Sequence, residues 1–190
     1  MTATPPGRVL AAADGAWIAV SAGRVVDRGA EDPPADAEWL GDVMLAPGFV
    51  DLQMNGNGVV DFWSATPDDW TRAGQRVLAS GVTSYLPTLV TAPLDGYDAG
   101  LARVAAAQVD ARAQGLARIE GVPLEGPFLG GAPGAHPVEL IRPMDVEWLI
   151  GLLERHPGLV RLVTLAPEAD PDLEGTLALC AFGNLALALA

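Results

Sequence analysis

The sequence predicts an α/β fold, a parallel sheet covered by helices and preceded by a small antiparallel segment, and three observations carry that prediction. Strand-length apolar runs alternate with helix-length periodic segments from residue 47 onward. Half of the 190 residues are apolar, enough for one sizeable core. Near the N-terminus, "RVLAAA" and "AWIAVSAGRVV" are β-type runs separated by Asp14-Gly15, a dipeptide favoured in two-residue hairpin turns.

Each element follows from its local sequence. The acidic, proline-bearing stretch "RGAEDPPADAEW" predicts an exposed loop before the apolar run "DVMLAPGFVDLQM". "GFVDLQM" reads as the first strand. "TPDDWTRAGQRVLAS" reads as the first helix, with Thr66 as N-cap, an inner face of Trp70, Ala73, Val77 and Leu78, and Gly81 as terminator. "VTSYLPTLV", "ARIEGVPLEG" and "VRLVTLAPE" follow as strands. Between them lie helices in "PLDGYDAGLARVAAAQVDARAQG" and "PMDVEWLIGLLERHPG". A helix from Asp170 to about Ala181 and a last strand, "NLALALA", complete the alternation. Five parallel strands make either an open sheet or the first part of a (β/α)8 barrel.

Charge and composition exclude some partners. Acidic residues number 24 against 11 basic ones, all arginine, and the formal charge of -13 repels phosphate backbones and anionic lipid. Nucleic acid and membrane are therefore not expected as partners. Cys180 stands alone, which fits a reducing, cytoplasmic setting, and with no base beside it the expectation is a buried spectator. The N-terminus lacks the basic start of a secretory signal, and the apolar "LALCAFGNLALALA" is too short for a bilayer span, so buried interior is expected there.

Ligands in parallel α/β folds gather where strands end at their C-terminal side. In "DLQMNGNG" strict alternation sends Asp51, Gln53 and Asn55 to one face and Leu52 and Met54 to the other. That polar face either lines a site or satisfies itself. The third strand ends in "LEGPFLGGAPGAH", where Glu125 leaves an apolar run straight into Gly126-Pro127. An inward carboxylate there needs a cation or several donors, a divalent metal being one solution and an arginine the other. His136 closes the glycine loop, placed to hydrogen-bond a ligand, reach a metal or cap a surface loop. Glu168, at the end of the fourth strand, faces the same cavity or belongs to an acidic helix start. His156 sits at a helix end and Arg142 on a loop, both with structural readings. The phosphate loop GxxxxGK[ST], the pairs CxxC and HExxH, and the elbow GxSxG are all absent.

Taken in order, "APGFVDLQMNGNG", "GVTSYLPTLVT", "LEGPFL" with "GAH" behind it, and "VTLAPE" resemble the N-acetylglucosamine-6-phosphate deacetylase family of the amidohydrolase superfamily, over residues 45 to 168. The resemblance implies an incomplete TIM barrel, (β/α)8 in type, over residues 46–190, preceded by a β-sandwich segment at 1–45. It implies that Glu125 is a metal ligand and that Ala135 and His136 contact a sugar phosphate. Gln53 and Asn55 line the pocket in the places where many amidohydrolases carry His-x-His. One divalent ion such as zinc is then expected as cofactor, since amides are poorer ligands than imidazole. The implied reaction is hydrolysis of the acetamide to acetate and glucosamine 6-phosphate.

Two departures qualify that expectation. Pro123 stands where the family usually has histidine, and the downstream histidine ligands and catalytic aspartate are not in these residues. The 190-residue chain by itself is therefore expected to be inactive, with exposed sheet edges. The alternatives are a sugar-phosphate binding module without turnover, a truncated copy of an ordinary enzyme, or another amidohydrolase such as a dihydroorotase-like enzyme, against which "QMN" speaks. The resemblance leaves homo-oligomerisation open.

Overall fold

A computed structural model of the chain describes residues 7–58, 60–182 and 185–189. The backbone divides into two units, Met1–Pro47 and Gly48–Ala190.

The first unit is one four-stranded sheet built from β1 (Arg8–Ala11), β2 (Trp17–Ser21), β3 (Arg24–Gly29) and β4 (Glu38–Trp39), in the order β3-β2-β1-β4. Its described residues form no second, facing sheet. The first hairpin departs from the two-residue turn expected at Asp14-Gly15. The amide of Ala12 donates to the Ala16 carbonyl (2.8 Å) and that of Gly15 to Ala12 (3.1 Å), so the loop is Ala13-Asp14-Gly15, with Gly15 at φ +88°. This is the three-residue hairpin loop that ends on a left-handed glycine. The run "AWIAVSAGRVV" is two strands, because Ala22 and Gly23 both take positive φ and form a two-residue turn between Ser21 and Arg24. Alanine at the first of those positions hid the turn from the sequence reading. The loop expected at 28–39 contains the short β4, parallel to β1.

The second unit winds sequentially. Its elements are β5 (Phe49–Met54), α1 (Pro67–Ala79), β6 (Val82–Pro87), β7 (Leu89–Val90), α2 (Tyr97–Gln114), β8 (Arg118–Ile119), β9 (Val122–Glu125), α3 (Val146–Arg155), β10 (Val160–Leu165), α4 (Glu174–Cys180) and β11 (Ala186–Leu189). The pairings between these strands are parallel, in the orders β5-β6-β8 and β11-β10-β9-β7. The expected second and third strands are each broken once, at Thr88 and at Glu120-Gly121, and each half pairs in a different sheet. Every helix-connected strand is therefore added beside its predecessor, with no reversal of order.

The helices are ended by local chemistry. Thr66 and Asp69 cap α1 reciprocally, Gly115 closes α2 in a left-handed conformation, and the Asp145 carboxylate accepts from the Trp148 amide (3.0 Å) at the start of α3. Leu101, Val104, Leu124, Leu149, Leu152 and Leu165 are fully buried where these helices cover the sheet. Phe128, 1% exposed, packs edge-on against Trp148, which meets Tyr97 in the same way. That cluster anchors the start of the glycine loop to α2 and α3.

Four expectations are corrected. Leu78 is exposed and Gly74 takes its place on the inner face of α1, packed against Leu116. The last helix starts at Glu174, because the buried Asp170 carboxylate receives the Gly175 amide (3.1 Å) and the Thr176 amide and hydroxyl (2.7 Å each) as a helix-start acceptor. Cys180 is exposed, since α4 turns Gly175 and Leu179 inward instead. The C-terminal apolar run is only partly interior: Leu179 is buried, whereas Leu177 and Leu189 are about two-thirds exposed, at 68% and 67%. Asn184 and Ala190 of the expected last strand lie outside the described residues. Among the described residues no helix is long and apolar enough to cross a membrane.

Pro123, buried in β9, sits opposite Leu162 where the β9-β10 register shifts. A residue without an N–H is tolerated inside a sheet at such an irregularity.

Candidate functional site

The C-terminal ends of successive parallel strands bring five side chains together. Asn55 follows β5, Thr91 follows β7, Glu125 ends β9, His136 closes the loop behind it, and Glu168 lies in the turn after β10. The alternation of β9 explains the aim of Glu125: Leu124 faces the core at 1% exposure and its neighbour faces the other side. Beyond it, Gly126 takes φ +78°, and a Cβ there would collide with the Thr91 hydroxyl.

The Asn55 amide donates to one carboxylate oxygen of Glu125 (Nδ2 to Oε2, 2.9 Å). His136 Nε2 stands 3.5 Å from the other oxygen, Oε1, at the outer limit of a hydrogen bond. Both side chains are largely shielded, 13% exposed for His136 and 19% for Glu125. The other ring nitrogen of His136, Nδ1, lies 2.8 Å from Thr91 Oγ1, and that hydroxyl donates to the backbone carbonyl of Glu125 (3.3 Å). Among the described residues, Glu125 pairs with His136 and with no arginine.

These groups open onto a cavity of about 360 Å³ lined by Asn55, Glu125, Ala135, His136 and Glu168 together with the glycine-loop backbone. That size lies in the range of small-molecule sites. Glu168 thus joins the cavity, and it packs so closely on Gly130 that a Cβ there would overlap its carboxylate. Ala135 is exposed on the cavity's rim.

Gln53 does not line this cavity. The register with β6 shifts between Asp51 and Met54, and the Gln53 amide turns back to donate to Asp51 Oδ1 (3.1 Å), so strict alternation fails there. Arg142 is exposed on the far side of the glycine loop, in a neighbouring cavity that shares Gly130 and Glu168. Thr91 is the residue the sequence reading missed. Its signal was a hydroxyl at the end of the second strand, in "PTLVT", on the level of the other strand ends.

His156 caps the end of α3, with Nε2 2.8 Å from Asp98 Oδ1, while Arg155 grips the same carboxylate through Nε (2.9 Å) and Nη2 (3.0 Å). Those hydrogen bonds, Arg155 first and His156 second, hold the Asp98 carboxyl below its ordinary range. This is a tie between α2 and α3.

Among the described residues, no three His, Cys, Asp or Glu side chains are arranged to hold a metal ion. Glu125 and His136 make two donors on adjoining sides of the cavity, one short of the three that a catalytic zinc takes from protein. The residues present do not fit the divalent ion that the resemblance implies.

Comparison with known proteins gives the site a context. No family model matches the chain. It is 40% identical over 149 residues to an N-acetylglucosamine-6-phosphate deacetylase of Bos taurus, covering 75% of this chain and 36% of that protein. It is 36% identical over 132 residues to an N-acetylgalactosamine-6-phosphate deacetylase of Escherichia coli O157:H7, covering 69% and 34%. A variant of N-acetyl-D-glucosamine-6-phosphate deacetylase from Mycobacterium smegmatis, solved in complex with N-acetyl-D-glucosamine-6-phosphate, superposes with a TM-score of 0.81 at 34% identity. That match covers 95% of this chain and 49% of the other. The chain spans about a third of the length of the curated relatives it matches.

Proposed function

The chain is a homologue, over part of their length, of the N-acetylglucosamine-6-phosphate deacetylases, and from that premise we propose that its cavity is the part of a deacetylase site that receives a phosphorylated N-acetylamino sugar. We read the second unit as the first part of a (β/α)8 barrel, because its strands are added in sequence without the reversal of an open doubly wound sheet. The first unit is then the N-terminal segment of the accompanying β-sandwich, and the setting is cytoplasmic.

One observation carries the reading. Asn55, Glu125, Ala135, His136 and Glu168, drawn from three strand ends and one loop, line a single cavity of ligand size. The Asn55 amide pins one oxygen of Glu125 and leaves the other facing the cavity beside His136 Nε2. A sugar presents hydroxyl and amide protons to such acceptors.

The reaction we assign to the complete site is hydrolysis of the acetamide, which releases acetate and the amino sugar phosphate. These residues supply two donors toward a metal ion, so no catalytic step is derived from them. For the 190-residue chain alone we propose ligand binding without turnover. Calorimetric titration of N-acetylglucosamine 6-phosphate, with acetate followed by proton NMR, tests both parts. Saturable binding without acetate is expected; absence of binding overturns the site, and steady acetate release overturns the inactivity.

The match to an N-acetylgalactosamine-6-phosphate deacetylase favours a second reading, in which the galacto epimer is the ligand. Titrating both epimers decides it, the tighter one being the assigned ligand.

A further inference from the structure

We infer that Glu168 is a ligand-recognition residue that receives a pair of adjacent sugar hydroxyls, and that Gly130 is the seat that holds its carboxylate in place. The inference deepens the sugar-phosphate reading and rests on it for the ligand. Four polar side chains line the cavity: Asn55, Glu125, His136 and Glu168. The first three are tied to one another or to Thr91. The Glu168 carboxylate alone has no hydrogen bond or ion pair with another described residue. Arg142, which lines the neighbouring cavity with it, does not pair with it either.

The backbone that carries this free carboxylate is nevertheless fixed. On one side the Ala166 amide donates to the Phe128 carbonyl (2.9 Å), and on the other the Met144 amide donates to the Ala169 carbonyl (2.7 Å). Ala166 and Ala169 are both buried. The start of α4 is capped by Asp170, so the fold does not need Glu168 for that purpose. Gly130 is not among the glycines with positive φ, so its backbone would accept another residue. Space is what demands glycine there, because a Cβ would overlap the Glu168 carboxylate.

An ionised carboxylate only accepts hydrogen bonds, and its two oxygens suit two neighbouring O–H donors. N-acetylglucosamine 6-phosphate offers one such pair, the hydroxyls on C3 and C4, since C2 carries the acetamide and C6 the phosphate. With two carboxylates and no arginine in its wall, the cavity favours these neutral groups over the phosphate. The galacto epimer differs in the direction of the C4 hydroxyl, so Glu168 is where the two epimers are told apart.

The test is a calorimetric series with N-acetylglucosamine 6-phosphate, its C4 epimer, and its 3-deoxy and 4-deoxy analogues. Glu168→Ala should lower affinity for the first sugar by about tenfold, the worth of a hydrogen bond to a charged group. It should also move the ratio of the two epimers' affinities toward one, and at least one deoxy analogue should bind wild type and Glu168→Ala alike. Gly130→Ala should keep the urea midpoint yet reproduce the loss, because the flexible end of Glu168 yields to the new methyl group. The double variant should then lose no more than either single one. Full affinity in Glu168→Ala, an unchanged epimer ratio, or equal losses for all four sugars overturns the inference and leaves the site reading standing. Full affinity in a folded Gly130→Ala overturns the seat. Absence of binding to the wild type overturns the site reading and this inference with it.

Discussion

Two histidine–carboxylate pairs in the second unit have similar chemistry and opposite uses. At the surface, Asp98 is saturated: the Arg155 guanidinium grips both its oxygens and His156 adds a third hydrogen bond. At the cavity, Glu125 is more shielded yet less satisfied, held by the neutral Asn55 amide at 2.9 Å and faced by His136 at 3.5 Å. The first carboxylate has its partners within the fold. The second keeps an oxygen open toward a space of about 360 Å³. What separates a structural pair from a binding pair here is therefore not the residue types but how many donors the fold has already committed to the carboxylate.

The largest expected difference between the pairs is in ligand affinity. Glu125→Ala should weaken binding of the amino sugar phosphate by about 10- to 150-fold, the worth of hydrogen bonds to a charged group. Asp98→Ala should leave affinity unchanged, and calorimetry on the two variants checks the contrast. Next in size, His136→Ala should lower affinity by about fivefold, whereas His156→Ala should lower it not at all.

The smallest effect falls on stability and has a defined pH window. An unfolded aspartate titrates near pH 3.9, and Asp98 in the folded chain titrates lower, chiefly through Arg155 and then His156. Its contribution is complete above about pH 4 and disappears as the pH falls through the lowered folded value. Since the pair is about half exposed, that contribution should not exceed about 1 kcal/mol. Urea unfolding of the wild type and Asp98→Asn should show a difference at about pH 4.5 that closes as the pH falls further below about 4; a difference that persists undiminished to about pH 2 contradicts this pairing.

The strand-and-helix alternation was legible because its signals are local. Thr66 before a helical period, Gly115 after one and Asp145 before another act within a few residues of themselves. Glu125 and His136 were legible for the same reason, each standing at the border of an apolar run and a glycine loop. What could not be read depended on pairing. The slip opposite β6 takes Gln53 away from the cavity, and no periodicity in "DLQMNG" announces it. Thr91 meets His136 across 45 residues of sequence, and only the parallel pairing of β7 with β9 puts the two chain segments side by side. The exposure of Cys180 was missed because apolar composition does not say which side of a short helix faces the core.

The central claim, that Glu125 with Asn55 and His136 forms the wall of a sugar-phosphate site while Asp98 does not, meets its most direct test in one titration series. N-acetylglucosamine 6-phosphate is titrated calorimetrically into the wild-type chain, Glu125→Ala and Asp98→Ala under identical conditions. The account predicts saturable binding to the wild type and to Asp98→Ala and a loss of at least tenfold in Glu125→Ala. Equal affinity in all three proteins, or no heat of binding in any, contradicts it.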